Sequence, residues 1–327
     1  MTVGRIVASV LLILVVCTVA ARAQDPWPNR PLTMVVPFAA GGPVDVLGRM
    51  LAQNLSEVVG RQVLVENVTG AGGMTGALRV AQGNPDGHTF VLGSIGTHAL
   101  NQTLYKRPLY NAATDFAPVA LIADVPLVLI TRKDLPTNDL GEFIALVKTR
   151  QSSMQFGSAG AGTSTHIGCV LLNQVIGVDV THIPYRGGGP AMVDLIGGRI
   201  DYMCNVLSTA VQPVDAGQVK AIATLAVERS SVMPHLATAH EQGLAGFDAN
   251  TWNAVFFPKG TPAELVARLN AALGKVMDNP VFRDRLAGLG LHVVAPARRS
   301  PGYLARFVAD EIDKWAVPIR ASGATGE

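Results

Sequence analysis

Several features that mark common protein classes are rare or missing in this sequence. It has three cysteines in 327 residues, 15% of its residues are charged, and basic and acidic residues number 26 and 24. No CxxC or HExxH pattern indicates a zinc site, and no GxxxxGK[ST] loop indicates a grip on nucleotide phosphates. The near balance of charge argues against a nucleic-acid binder, which would be expected to carry a basic face. We therefore expect no metal, no cofactor and no nucleic-acid partner.

A long apolar run is also missing, except at the N-terminus. There Arg5 precedes an apolar run over residues 6–20, followed by the small-residue segment ARAQ, which is the order of a secretory signal peptide. The run is shorter than the ~20 residues that cross a bilayer. We predict cleavage after Ala23, which makes residues 1–23 a signal peptide. Cleavage removes two arginines and no acid, so 24 basic and 24 acidic residues remain.

Two cysteines, Cys169 and Cys204, remain after this cleavage. An oxidising compartment permits a bridge between them. A secreted chain of roughly 300 residues does not depend on one, however, because that length is enough to bury a sizeable core in about two domains. A bridge and two buried free thiols therefore both stay open.

From Pro31 onward the chain alternates short β-rich runs with helical patterns, which is typical of an α/β fold with mostly parallel strands. This order repeats after Ser153 and predicts two lobes of similar topology. Two extended apolar runs, one near residues 116–132 and one near 252–258, predict crossover strands that form a hinge. We predict a two-lobed architecture with lobe I at residues 24–122 and 254–327 and lobe II at residues 123–253.

Individual residues mark several helix ends. Gly60 and Gly177 each follow a helical pattern at the position where a left-handed glycine commonly ends a helix. Thr261 and Glu264 flank Pro262 in a T-x-x-E pattern, which predicts a capping box at the start of a C-terminal helix.

Five glycine-rich loops follow the predicted strands: PFAAGGPVD, NVTGAGG, GSIGT, GSAGAGTST and YRGGGP. In an open α/β sheet such strand exits line the ligand crevice. Gly41 and Gly42 leave backbone N–H groups unobstructed, and Pro43 suits the first turn of a helix. A helix N-terminus of this kind attracts a small anion through its free N–H groups and its dipole.

The side chains of these loops are mostly neutral hydrogen-bonding groups. Arg186 is the only basic residue among them, so we expect a carboxylate held by neutral donors, helix ends and water. Asp45 either caps its own helix or faces the ligand, and Asp201 either secures a loop or faces the ligand. The neutral donors are Ser94, Thr97, Ser158, Thr163 and Ser164.

An enzymatic alternative starts from Ser158 and His166, which could form a nucleophile and a base. No G-x-S-x-G elbow is present, and His166 lies only eight residues further along the same segment. We therefore favour a role for His166 in orienting the loop or the ligand, and a structural role for His182. A non-enzymatic binding protein is the expectation.

Several separated segments, in the same order, resemble the substrate-binding receptors of tripartite tricarboxylate transporters, the TctC/Bug family. They include NRPLTMVVPFAAGGPVDVLGRMLA, VENVTGAGGMTGA, NPDGHTF, FGSAGAGTSTH, IPYRGGGPAMVDLIGGRID and FFPKGTPAELVARLNAAL, and together span nearly the whole mature chain. The resemblance implies a monomeric periplasmic binding protein of the Venus flytrap type. Such a protein closes on a small organic anion and presents it to membrane transporter subunits.

The resemblance also implies which positions grip the carboxylate. Those in lobe I are Phe38, Ala39, Gly41 and Asp45, and those in lobe II are Ser158, Gly160, Thr163, His166, Gly187 and Asp201. Val44 stands where relatives often have threonine, and no glutamate follows His166 in IGCVLL, so the side-chain part of the specificity is open.

The candidate ligands are a citrate-like tricarboxylate, a dicarboxylate, an acidic amino acid and an aromatic carboxylate. Two other functions remain as alternatives: a sensory receptor for a membrane two-component kinase, and a secreted hydrolase that uses Ser158 and His166.

Overall fold

The structure, a computed structural model, describes residues 27–322 and 325–326, so the predicted signal peptide at 1–23 lies outside it. Within these ranges no helix combines the length and the apolar character needed to cross a bilayer. The strands are β1 Leu32–Val36, β2 Val63–Asn67, β3 Thr89–Ser94, β4 Phe116–Val125, β5 Leu127–Arg132, β6 Gln155–Ser158, β7 Thr181–Pro184, β8 Tyr202–Val206, β9 Val219–Thr224, β10 Thr251–Pro258 and β11 His292–Val293.

Helices pack on both sheets formed by these strands, and short 3-10 or π turns join some of them. The α-helices are α1 Pro43–Val59, α2 Met74–Ala81, α3 Asn101–Leu104, α4 Leu140–Arg150, α5 Ser164–Ile176, α6 Gly188–Ile196, α7 Leu207–Asp215, α8 Ala263–Asp278, α9 Pro280–Ala287 and α10 Pro301–Ser322.

The strands form two separate sheets, one for each half of the molecule. The first has the order β11-β4-β10-β3-β1-β2 and the second the order β7-β6-β8-β5-β9. Strand β1 runs parallel to β2 and β3, and β6 runs parallel to β7 and β8. The predicted two-lobed α/β architecture is present, although each sheet is mixed because β4, β5, β9, β10 and β11 add antiparallel pairs.

Two chain segments connect the sheets. Pro126 alone separates β4 of the first sheet from β5 of the second. The return passes from β9 through residues 225–250 to β10, which lies between β3 and β4. Both connections use the runs expected to form crossover strands, and the exact lobe limits, 122/123 and 253/254, stay a prediction.

The helix ends agree with the sequence in two places and differ in a third. Gly60 and Gly177 end α1 and α5 in left-handed conformations, with φ of +67° and +74°. The predicted capping box before α8 was wrong, because the Thr261 hydroxyl donates to the carbonyl of Pro258 and Glu264 pairs with Arg268. Pro262 sets the N-cap with no side-chain hydrogen bond.

A disulfide between Cys169 and Cys204 joins α5 to β8. Cys169 and Cys204 are fully buried, and their Cα atoms are 5.2 Å apart. Of the two possibilities left open by the sequence, the structure has the bridge. It fixes the helix that follows β6 to the neighbouring strand of the same sheet.

Candidate ligand-binding site

The loop after β1 brings the N-terminus of α1 to the gap between the two sheets. Gly41 has a φ of +79°, in the region that favours glycine, and its N–H donates to Oδ2 of Asp45 at 2.9 Å. Asn67 donates to Oδ1 of Asp45 and Arg49 donates to Oδ2, each also at 2.9 Å. Asp45 is only 2% exposed, so its carboxylate holds the loop in place.

The Asp45 carboxylate is ionised at neutral pH. Burial by itself raises its pKa, but hydrogen bonds from Arg49, Gly41 and Asn67 outweigh burial and keep the pKa below its ordinary value of 3.8. The negative charge lies in the first turn of α1, where the helix dipole favours it. Of the two roles that the sequence left open for Asp45, anchoring its own helix is the one with observed partners.

The loop between β6 and α5 is tied to the first turn of α5. Thr163 is the N-cap residue, and its Oγ1 accepts a hydrogen bond from the N–H of His166 at 3.3 Å. The same hydroxyl donates to the carbonyl of Gly160 at 2.7 Å. Thr165 Oγ1 accepts from the N–H of Ala159 at 2.9 Å. These bonds give the loop a fixed shape beside the gap.

A narrow cavity lies between the two sheets. About 520 Å³ of space separates its lining atoms, open solvent at the mouth included, and the centre of a water-sized sphere can move through about 30 Å³ of it. None of the described residues that line it carries a charged side chain. They are Phe38, Gly42, Pro43, Val44, Ser94, Val125, Ala159, Thr163, Ser164, Thr165, Gly188, Val206, Thr251, Asn253 and Leu291.

Four helix N-termini reach this cavity. Helix α1 contributes Gly42 to Val44, α5 contributes Thr163 to Thr165, α6 contributes its first residue Gly188, and α7 contributes its N-cap residue Val206. The first N–H groups of a helix have no acceptor within the helix. Together with the four dipoles, they favour an anion in the cavity without a cationic side chain.

Loops from the two halves touch across the gap. A Cβ atom at Gly187 would lie 2.9 Å from the Cβ of Ala39, and one at Gly96 would lie 2.9 Å from the carbonyl of Gly162. Tyr105 also donates its hydroxyl to the carbonyl of Ala161 at 3.3 Å. The structure is therefore that of a closed cleft.

The structure brings nearly all of the predicted site residues to this region. Four of them, Phe38, Ser94, Thr163 and Ser164, line the cavity. Others are next to a lining residue in the chain: Ala39, Gly41, Asp45, Ser158, Gly160, His166 and Gly187. Thr97 is buried, and its hydroxyl both accepts from and donates to the backbone of Ser94. Their roles in binding stay predictions.

Asp201 is the exception, because the structure places it away from the cavity. Its carboxylate accepts hydrogen bonds from Arg132 Nε at 2.9 Å and from the N–H of Gln155 at 2.8 Å. Gln155 begins β6, whereas the loop beside the cavity follows the end of that strand at Ser158. Asp201 therefore holds β5, β6 and β8 together at the end of the strands that is opposite the cavity.

Eleven of the fifteen lining residues were not among the predicted site residues. Six of the eleven belong to the predicted glycine-rich loops, and five lie outside them: Val125, Val206, Thr251, Asn253 and Leu291. Three of them, Val125, Thr251 and Asn253, lie on β4 and β10, the strands next to the connections between the sheets. A signal existed for Asn253, which is 5% exposed in an apolar run and donates its amide to the carbonyl of Gly93. Leu291 carries no comparable signal.

The pairing of Ser158 with His166 that the enzymatic alternative requires does not form. Ser158 Oγ lies 2.7 Å from Nε2 of His182, while Nδ1 of His166 accepts from the N–H of Gly162 at 3.2 Å. Neither the serine nor either histidine lines the cavity. No group of three or more His, Cys, Asp or Glu side chains that could hold a metal occurs in residues 27–322 and 325–326.

The family model described as "Tripartite tricarboxylate transporter family receptor" matches residues 47–324. The chain belongs to this receptor family. Protein BugT of Bordetella pertussis is 33% identical over 326 residues, which cover 99% of each chain. Its similarity therefore extends over the whole sequence.

Solved structures of similar receptors share the fold. MatC from Rhodopseudomonas palustris, solved with bound malate, is 40% identical with a TM-score of 0.87, covering 90% of this chain and all of MatC. The periplasmic binding protein BugD is 36% identical with the same TM-score, covering 91% of this chain and 99% of BugD. The receptor thus has the two-lobed fold of periplasmic binding proteins, as predicted.

Proposed function

We propose that this receptor binds a small organic carboxylate in the cavity between its halves and delivers it to the membrane subunits of a tripartite tricarboxylate-type transporter. The observation that carries the proposal is the convergence of four helix N-termini on a cavity without charged lining residues. Helix N-termini on both sheets offer donors to carboxylate oxygens. MatC, which holds malate, supports this choice of ligand.

The same lining favours an acid without an amino group. An α-ammonium needs an anionic or strongly accepting partner when it is taken out of water. The carboxylate of Asp45 already accepts hydrogen bonds from Gly41, Asn67 and Arg49. The positive ends of the helix dipoles oppose a positive charge on the ligand. Among the four candidate ligand classes, this disfavours acidic amino acids.

Calorimetric titration of the unfolded and refolded receptor, freed of any acid carried through purification, tests the proposal. The panel is malate, succinate, adipate, citrate, benzoate and aspartate. At least one acid should bind with a Kd of about 1 μM or lower and be recovered chemically unchanged. Absence of binding by every acid, or conversion of a bound acid, overturns the proposal.

Malate and aspartate form a matched pair within this panel because they differ only in a hydroxyl against an ammonium. Aspartate should bind at least about tenfold more weakly, a difference of about 1.4 kcal/mol. Equal affinity would refute the preference for acids without an amino group while leaving carboxylate binding intact.

Transport is the proposed purpose, in the periplasm, after removal of residues 1–23. The family description and the periplasmic binding protein BugD support it. Deleting the gene should abolish uptake of the radiolabelled acid that binds best, and the protein recovered from the periplasm should begin at Gln24. Normal uptake combined with loss of a transcriptional response to the acid would favour the sensory alternative.

A further inference from the structure

Two histidines stack behind the loop of residues 159–163, here called the 159–163 loop, without reaching the cavity. The ring centroids of His166 and His182 are 4.0 Å apart and the rings are inclined by 21°. Phe156 continues the stack, with its ring centroid 4.8 Å from that of His182. Neither histidine lines the cavity, so neither acts on a ligand there through direct contact.

The hydrogen bonds of His182 lead to the loop through Ser158. His182 Nε2 lies 2.7 Å from Ser158 Oγ. That hydroxyl donates to the carbonyl of Gly160 and accepts from the N–H of Gly160, each at 3.1 Å. The Ser158 hydroxyl thus links the His182 imidazole to both backbone groups of Gly160, with the tautomer of the imidazole setting which partner donates in the Ser158–His182 hydrogen bond. The imidazole therefore fixes the hydroxyl that shapes the first turn of the loop.

The second histidine holds the other end of the same loop. His166 Nδ1 accepts from the N–H of Gly162, which requires a neutral imidazole with its proton on Nε2. Burial, reinforced by the neighbouring His182, lowers the pKa of His166 to about 3, and burial lowers that of His182 to about 4. Both rings are therefore neutral at neutral pH, the state that the hydrogen bond from Gly162 to His166 needs.

The loop held in this way forms part of the cavity wall. Ala159 and Thr163 line the cavity, and Gly160 and Gly162, with φ of +126° and +79°, turn the chain between them. We propose that His182 is a positioning residue for ligand binding, which acts through Ser158 and through its stack on His166 to set the shape of the 159–163 loop. The expected effect of His182 on ligand affinity rests on the proposed function, whereas its effect on the shape of the loop does not.

Three substitutions separate the hydrogen bond from the aromatic stack. His182→Phe keeps a ring against His166 and removes the hydrogen-bond partner of Ser158. His182→Gln offers an amide near the position of Nε2 that can hydrogen-bond to Ser158, and Ser158→Ala removes the partner hydroxyl while leaving the stack intact. His88→Phe is the matched control, because His88 is also buried but lies directly before β3 in the other half of the molecule.

Hydrogen exchange measured by mass spectrometry on the ligand-free receptor is the first readout. Peptides covering the 159–163 loop should exchange about tenfold faster in His182→Phe and Ser158→Ala, and near the wild-type rate in His182→Gln and His88→Phe. Unchanged exchange of the loop in both His182→Phe and Ser158→Ala, or equal acceleration in His182→Gln and His182→Phe, would overturn the proposal.

Malate titration is the second readout. The Kd should rise about tenfold in His182→Phe and in Ser158→Ala, and the double variant should be no weaker than either single variant, because both remove the same bond. Additive losses would overturn the proposal. If the wild type binds no carboxylate, the proposed function fails, and the hydrogen-exchange result still decides the role of His182.

Discussion

At the scale of single residues, Asp45 is the charged group that supports the binding loop most directly. It is buried, it accepts hydrogen bonds from the loop, from β2 and from its own helix, and its pKa is held below the ordinary value. Its contribution to stability is therefore present above the unfolded pKa near 3.8 and is lost as the pH falls through the lower folded-state value.

Asp45→Asn should reduce the free energy of unfolding by about 1–3 kcal/mol at pH 7, because a charged acceptor is lost among buried donors. The difference from wild type should begin to shrink as the pH falls below about 3.8, since the carboxylate then takes up a proton in the unfolded chain before it does so in the folded protein. Urea unfolding at several pH values measures this, with Asp179→Asn at an exposed position as control. A difference that is independent of pH would contradict the ionic role.

Single residues also show where sequence reasoning reaches its limit. The Asp45 position follows from its place one turn after a strand exit, and the structure keeps it there. Asp201 precedes β8, which runs parallel to β6, so chain direction already places it at the end of the sheet away from the strand exits. Its hydrogen bonds with Gln155 and Arg132 agree with that position.

At the scale of elements, the disulfide ties two pieces of the cavity wall together. Helix α5 supplies Thr163 to Thr165 and β8 ends in Val206, and both line the cavity. Cys169 on α5 and Cys204 on β8 are separated by 35 residues, a span that includes β7, α6 and the glycine loop before α6. The bridge thus restrains much of the second half of the site.

Replacing both cysteines by alanine should lower the free energy of unfolding by about 3–4 kcal/mol, because a loop of this length is no longer closed in the unfolded chain. Urea unfolding of oxidised wild type, reduced wild type and the Cys169→Ala/Cys204→Ala variant measures the effect. Reduced wild type should resemble the variant. Two reactive thiols in oxidised protein unfolded without reductant would show that the bridge does not form.

The elements were predictable wherever a local pattern determines them. Glycine at a strand exit specifies a turn into a helix, so the loops before α1, α5 and α6 were found from the sequence. The T-x-x-E pattern before α8 failed because the Thr261 hydroxyl bonds to Pro258 instead. A hydroxyl that can accept from a helix N–H or donate to a nearby carbonyl leaves its choice to the surrounding packing.

At the scale of the whole molecule, the two halves meet over the cavity through close backbone contacts. Ala39 from the first half faces Gly187 from the second, and a Cβ atom added at Gly187 would lie only 2.9 Å from the Cβ of Ala39. A ligand drives closure only to the extent that it binds the closed form better than the open form. A difference of about 5.5 kcal/mol in binding free energy moves the ratio of closed to open protein from 1:99 to 99:1.

Ala39→Leu should hinder closure and raise the Kd for malate at least about tenfold, because the larger side chain meets the backbone at Gly187. The stability of the ligand-free protein should change by less than about 0.5 kcal/mol, as is usual for a partly exposed position. The neighbouring Ala40→Leu, at an exposed site, is the control. Wild-type affinity in Ala39→Leu would argue against closure at this contact.

The arrangement of the halves was the part that the sequence did not specify. Strands β4 and β10 pass beside the cavity, and they contribute Val125, Thr251 and Asn253 to its wall. The turn between α9 and β11 contributes Leu291. Their positions depend on how the two sheets face each other, which no local pattern encodes. The glycine loops, by contrast, were fixed by chain direction within each sheet.

The most direct test of the central claim is a crystal structure of the receptor with the acid that binds it best. The account predicts that the carboxylate oxygens accept hydrogen bonds from first-turn amides of α1 and α5, with no cationic side chain in contact. A carboxylate paired with Arg186, or an acid bound outside the cavity between the sheets, would contradict it.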